Sequence, residues 1–264
     1  MWSRTSTVSG ASWRALRSVR WLLLTISLSA YPQFTFVPFG ETSPQAKTRD
    51  ELDAFGKIYD VPEPGSIIRS AKTFIDQYPQ SQFFEYAHLP LLHAYEQIGD
   101  SEKAKETAET VLRLNPHSVD ALLSLAAYRL EHDSSGASEG LLPARQYAQN
   151  ALERVEQFRL PVTANRTSWI QTKNTLLGKA HMLLALAAVQ EKKLDEASDN
   201  LAMAAEFDPQ GNYFYRLSLV YEATGRYKEA LASAVRAQEL GPGQVTRLAE
   251  RAIERLRARP HAEK

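Results

Sequence analysis

One spacing, small-x3-apolar-x2-small-x4-Pro, recurs along this chain. It is filled by Ala104, Ala108, Val111 and Pro116, by Ala197, Leu201, Ala204 and Pro209, and by Ala230, Ala234, Ala237 and Pro242. Ala144, Ala148 and Ala151 form a copy without the proline, and Ile67, Ala71, Phe74 and Pro79 form a looser one. Steps of four and three put these residues on one stripe of a helix. Small side chains in that stripe let a second helix approach closely, and the proline ends the ladder because it has no N–H to donate. A unit that recurs in this way buries its apolar face only against its neighbours. The spacing therefore predicts a stacked array that offers an extended surface rather than a single enclosed pocket.

A second set of apolar residues precedes each tail at helical period. Leu91, Leu92 and Tyr95 mark one helix, Leu122, Leu125 and Ala126 the next, then Leu183, Leu184, Ala187 and Ala188, and finally Phe214, Leu217 and Tyr221. Gly99-Asp100 and Gly225-Arg226 fall between the paired helices, where a left-handed residue ends the first of them. Asn115 and Asp208 stand directly before prolines, a position pushed out of the helical region. The only β-favouring run, Phe34 to Val37, has no partner strand, so the predicted class is all-α.

On these residues the chain resembles the tetratricopeptide repeat family, whose unit is a 34-residue helical hairpin. The best copy runs from Glu85 to Ser118, with Leu91, Leu92, Tyr95, Gly99, Ala104, Ala108 and Pro116 on the pattern. The copy from Gly211 to about Gln244 is nearly as good, with Phe214, Leu217, Ser218, Tyr221, Gly225, Ala230, Ala234, Ala237 and Pro242 on it. The resemblance implies an α-α superhelix of hairpins. Its repeats fall at about 48–79, 85–118, 119–156, 168–209 and 211–244. The polar run 132–140 interrupts the third of these, and an irregular stretch, 157–167, follows it. His88 and His181 stand where the family often has tryptophan. Val245 to Arg259 follows as one amphipathic helix, apolar through Val245, Leu248, Ala249, Ala252, Ile253 and Leu256. Such a helix closes the open end of an array, its charged side facing solvent. Residues 260–264 form a short tail.

The N-terminus differs in kind. Residues 1–20 carry Arg4, Arg14, Arg17 and Arg20 and no acid, followed by about ten apolar residues from Trp21 to Ala30. A helix of ten residues spans about 15 Å, half of a bilayer core. This layout reads as a cleaved signal peptide; an uncleaved membrane anchor and a cytoplasmic protein are the alternatives. Residues 31–47, rich in Pro, Ser, Thr and Gln, read as an extended leader. The expected location is exported, periplasmic or membrane-tethered, with possible membrane association through the N-terminus.

Composition narrows the function. Without cysteine there is no disulfide, thiolate metal site or cysteine nucleophile. The whole chain has net charge 0, and without residues 1–30 it has 27 basic and 31 acidic residues, which gives a nucleic-acid partner no footing. No metal-binding His-Glu-x-x-His, phosphate loop or nucleophile elbow is present. His88 and His93 lie on different helix faces, with no acid at ligand spacing, so no metal and no cofactor is expected. An enzyme built on Asp133, Glu139 and Arg166 of the irregular segments is the weakest reading, because loop carboxylates without a positioned partner are ordinarily solvated.

The resemblance places recognition on the inner columns of the first helices. These hold Tyr86, Leu89, His93, Glu96 and Gln97; Asp120, Leu123, Ala127, Leu130 and Glu131; Lys179, Met182, Leu186, Val189 and Gln190; and Asn212, Tyr215, Leu219, Glu222 and Ala223. Some family members clamp a peptide's C-terminal carboxylate with lysine and asparagine there. The matching columns hold Leu89, His93, Leu123, Ala127, Met182, Leu186, Tyr215 and Leu219, which disfavours such a chaperone-tail clamp. The candidate groove is Tyr86, Leu89, His93, Glu96, Leu123, Ala127, Met182, Leu186, Tyr215, Leu219 and Glu222. It suits an apolar or amphipathic segment of a protein or peptide partner. The expected role is a non-enzymatic scaffold or adaptor. The alternative is a structural subunit or assembly factor whose groove is filled by its own chain.

Overall fold

The computed structural model describes residues 44–60, 62–132, 138–160 and 165–258, with the side chains of 138–140 excepted. The signal-like segment 1–30, most of the leader, and the tail 260–264 lie outside the described residues, as do Asp133 and the side chain of Glu139. Among the described residues there are eleven helices and no strand. They are α1 (Arg49–Gly56), α2 (Pro64–Gln77), α3 (Phe84–Ile98), α4 (Ser101–Leu114), α5 (Val119–His132) and α6 (Ser138–Glu156). Then come α7 (Arg166–Gln190), α8 (Leu194–Phe207), α9 (Gly211–Ala223), α10 (Tyr227–Leu240) and α11 (Gly243–Arg257).

The sequence sets the ends of these helices through identifiable groups. Thr48, Glu63, Asp100 and Asn165 each accept a hydrogen bond from a first-turn backbone N–H through the side chain. Pro64 at the start of α2 lacks the donor that would have been orphaned there anyway. Gly99 (φ 75°) and Gly225 (φ 78°) turn the chain between α3 and α4 and between α9 and α10. The equivalent turn between α7 and α8 is made by Lys192 at φ 62°, a lysine in a glycine's conformation.

Every alanine of the recurring tails is at most 5% exposed, from Ala104 and Ala108 to Ala197, Ala204, Ala230, Ala234 and Ala237. These stripes pack α4, α8 and α10 against the helices on either side of them. At the last hairpin the approach is so close that a Cβ on Gly211 would lie 2.4 Å from the Cα of Gly241. Burial then runs on from unit to unit. One cluster joins α2, α3 and α4 to Ala121 and Leu125 of α5. Another joins α5, α6 and α7, a third α7 and α8 to α9, and a fourth α9 and α10 to α11.

The helices touch mainly their neighbours in sequence. Beyond those, α3 meets α5, α5 meets α7, and α9 meets α11, whereas no pair among α4, α6, α8 and α10 packs to that extent. From α3 to α7 the first helices crowd together while the second helices spread apart, so the array bends there with α3, α5 and α7 on its inner side; α9 joins them through Leu217 and Val220, which share a core with Ala185 and Ala188 of α7. The chain is an all-α superhelix closed by α11, whose Val245, Ala249, Ala252, Ile253 and Leu256 are buried.

Candidate functional site

The inner side is built from the residue columns of α3, α5, α7 and α9, and its two ends differ in character. Leu123, Leu186, Tyr215 and Leu219 are each 5–7% exposed. Leu123 and Leu186 share a core with Leu130, Leu177 and Leu183. Tyr215 and Leu219 pack with α10 and α11. These four candidate residues hold the array together. Met182 is half-buried, seated between that first core and Ala204, Ala205 and Tyr213. Tyr86 and Leu89 are partly exposed beside the α2–α4 core, and Ala127 is exposed.

Glu222 does not face open solvent. Its carboxylate takes a two-pronged bond from Arg255 of α11, with Nε donating at 3.1 Å and Nη2 at 2.7 Å. The closing helix thus covers the C-terminal end of the inner side as well as the end of the stack. Bidentate pairs of this kind combine geometry with charge and are the strong class of ion pair.

A charged node sits at the other end. His93 Nδ1 lies 3.3 Å from Glu96 Oε2, and its Nε2 lies 3.5 Å from Asp120 Oδ1 on α5. The Ser124 hydroxyl also bonds Glu96. Lys179 of α7 acts on Glu96, Asp120 and Asp208 together. Burial pushes the Lys179 ammonium below its usual range, and those three carboxylates only partly offset that. Burial likewise raises Asp208, against a 2.5 Å hydrogen bond donated by Gln210 Nε2. Arg216, 6% exposed on α9, is lowered to about 10 by burial.

Register alone brings these groups together. Asp120 and Lys179 occupy the same column as Tyr86 in successive hairpins, and that column runs past His93. The expectation for His93 is of no acid at ligand spacing. Glu96, one turn on, and Asp120, on the next hairpin, correct that reading. Even so, no group of three His, Asp or Glu side chains with metal-binding geometry occurs among the described residues. His88 and His181 have packing roles: Nδ1 of His88 bonds the Phe84 carbonyl at 2.7 Å, and Nδ1 of His181 bonds Asn200 Oδ1 at 3.0 Å.

The tetratricopeptide repeat model matches residues 87–118 and 211–243, which fall on α3–α4 and α9–α10. At these two places the chain carries tetratricopeptide repeats. Its solved likenesses include a thermophilic tetratricopeptide repeat protein of Thermus thermophilus, 17% identical over 78% of this chain and 98% of that one, with a TM-score of 0.49. A second is residues 41 to the end of MamA from Desulfovibrio magneticus RS-1, at 18%, 75% and 97%, with a TM-score of 0.46. A third is a tetratricopeptide repeat protein of Parabacteroides merdae ATCC 43184, at 12%, 82% and 95%, with a TM-score of 0.41. No curated protein sequence matches the chain.

Proposed function

We propose that this protein is a non-enzymatic scaffold of the cell envelope that holds another protein against the N-terminal half of its inner side. The observation that carries this reading is the bend of the array, which lines up the first helices and leaves Tyr86, Leu89, Ala127 and half-buried Met182 beside the charged node of His93, Glu96, Asp120 and Lys179. Apolar and aromatic side chains next to fixed charges suit an amphipathic segment, which takes its affinity from the apolar face and its register from the charges. Export rests on the basic and then apolar N-terminal segment, through which the protein would be delivered or tethered. Among the described residues no helix is long and apolar enough to cross a membrane.

The test is in-cell crosslinking from a photoreactive residue at Ala127, in strains carrying Leu89→Asp on the inner side or Met203→Asp on the exposed outer side. The expected result is a single adduct, recovered from the envelope fraction, that is lost with Leu89→Asp and kept with Met203→Asp. An adduct that ignores both substitutions, or none at all, would sink the reading. A second reading, a structural subunit whose inner side is occupied by its own chain, draws on the Glu222–Arg255 pair. It predicts that Leu89→Asp lowers stability and leaves adducts unchanged.

A further inference from the structure

Both ring nitrogens of His93 face carboxylate oxygens on different helices, Glu96 on its own α3 and Asp120 in the first turn of α5. A neutral imidazole carries one N–H, so it can donate to only one of them and must turn a lone pair toward the other. The imidazolium hydrogen-bonds Glu96 and at the same time pairs by charge with Asp120 at 3.5 Å. The side chain of His93 is 17% exposed, and those of Glu96 and Asp120 are 24% and 22% exposed, so water does little to soften the mismatch. Glu96 is further fixed by Ser124 of α5, and Lys179 of α7 faces the same group.

We propose that His93 is a protonation-dependent clasp between the α3–α4 and α5–α6 hairpins: charged, it pairs with Asp120 across the inner side; on losing its proton it keeps its one N–H for Glu96 of its own helix, gives up the ion pair with Asp120 and lets the two first helices part. The direction of action follows from the surroundings. Burial works against the charged ring, but the Glu96 hydrogen bond and the Asp120 and Glu96 charges outweigh it, while Lys179 subtracts, and the net effect is a rise above 6.5. A raised folded value means that the tie is fully made below 6.5 and is lost as pH climbs through the folded value. The device therefore loosens on passing from mildly acidic to alkaline conditions.

The experiment is a pH titration of imidazole nitrogen shifts in the full chain, with His93 assigned through His93→Gln. The expected midpoint lies above 6.5, moves down in Asp120→Asn and moves up in Lys179→Met, two opposite shifts that a merely packed histidine would not show. Because the chain has no cysteine, spin labels introduced at Gln97→Cys and Glu131→Cys report the α3–α5 separation without background. Their mean distance should lengthen above the midpoint and stay constant in His93→Gln. A midpoint at or below 6.5, a midpoint that neither substitution moves, or a separation indifferent to pH in the unsubstituted ring would each overturn the proposal. Should Asp120→Asn fail to fold, the unsubstituted chain and Lys179→Met decide.

Discussion

Lys192 shows how far one residue can depart from its neighbours' solution. Gly99 and Gly225 make their turns at positive φ without steric cost, and Lys192 adopts nearly the same angle with a Cβ in the way. A left-handed residue other than glycine costs about 1–2 kcal/mol, partly recovered through the smaller entropy of its unfolded chain. Lys192→Gly should therefore raise stability by about 0.5–1 kcal/mol, seen as a higher urea midpoint at unchanged slope. A lower midpoint would mean that the lysine side chain contributes more than its backbone costs. The turn itself was legible in the sequence, since the alanine stripe beginning at Ala197 requires a helix start just before it. Its conformation was not legible, because nothing about a lysine announces positive φ. The same holds for His93: its column and Glu96, one turn along the same helix, could be read from the repeat register, but its second partner, Asp120, required knowing that α3 and α5 lie side by side.

Among the elements, α7 and α11 depart most from a plain hairpin. At 25 residues α7 is far longer than the 14 residues of α4, α5 or α8. Its extra first turns bring Lys173 to the carbonyls of Glu156 and Phe158, at 3.1 and 3.3 Å, so that one ammonium satisfies chain ends that α6 leaves open. Further along, Arg145 of α6 holds Glu191 at 2.9 Å and also bonds Glu196 of α8, fastening the interrupted hairpin to the next. That a hairpin starts near residue 168 was legible from the repeat register, whereas these fastenings lie too far apart in sequence to be read from spacing. The closing helix was legible as an element, since its apolar face has no other use, although it runs over Gly243–Arg257 rather than Val245–Arg259 and leaves Leu248 only partly buried. Leu256, fully buried on that face, gives a direct check. Leu256→Ala should cost about 2–5 kcal/mol in urea unfolding, the range for a leucine whose cavity cannot collapse. A cost under about 1 kcal/mol would show that α11 lies loosely on the array.

At the scale of the whole molecule, stability should be distributed by neighbourhood. Each cluster joins adjacent helices, and no cluster spans the array. Native-state hydrogen exchange in Leu256→Ala should then show the largest loss of protection in α9–α11, a smaller loss in α7–α8, and little change in α3–α4. A uniform loss across all helices would indicate a single cooperative unit. The superhelical class followed from the alanine stripes and their prolines because packing of small residues repeats faithfully. The recognition surface was harder to read: the same columns that face inward also fill the space between hairpins, and only the curvature separates the two uses.

That neighbour-by-neighbour construction bears on how the chain is made. As residues leave the ribosome in order, each hairpin meets a surface that is already finished, and nothing synthesised early must wait for a distant partner. A nascent chain halted after Phe207 would hold all of its completed hairpins in register and lack only the end that α9, α10 and α11 bring. Synthesis could thus build this protein as a wall is laid, course upon course, each resting on the one before.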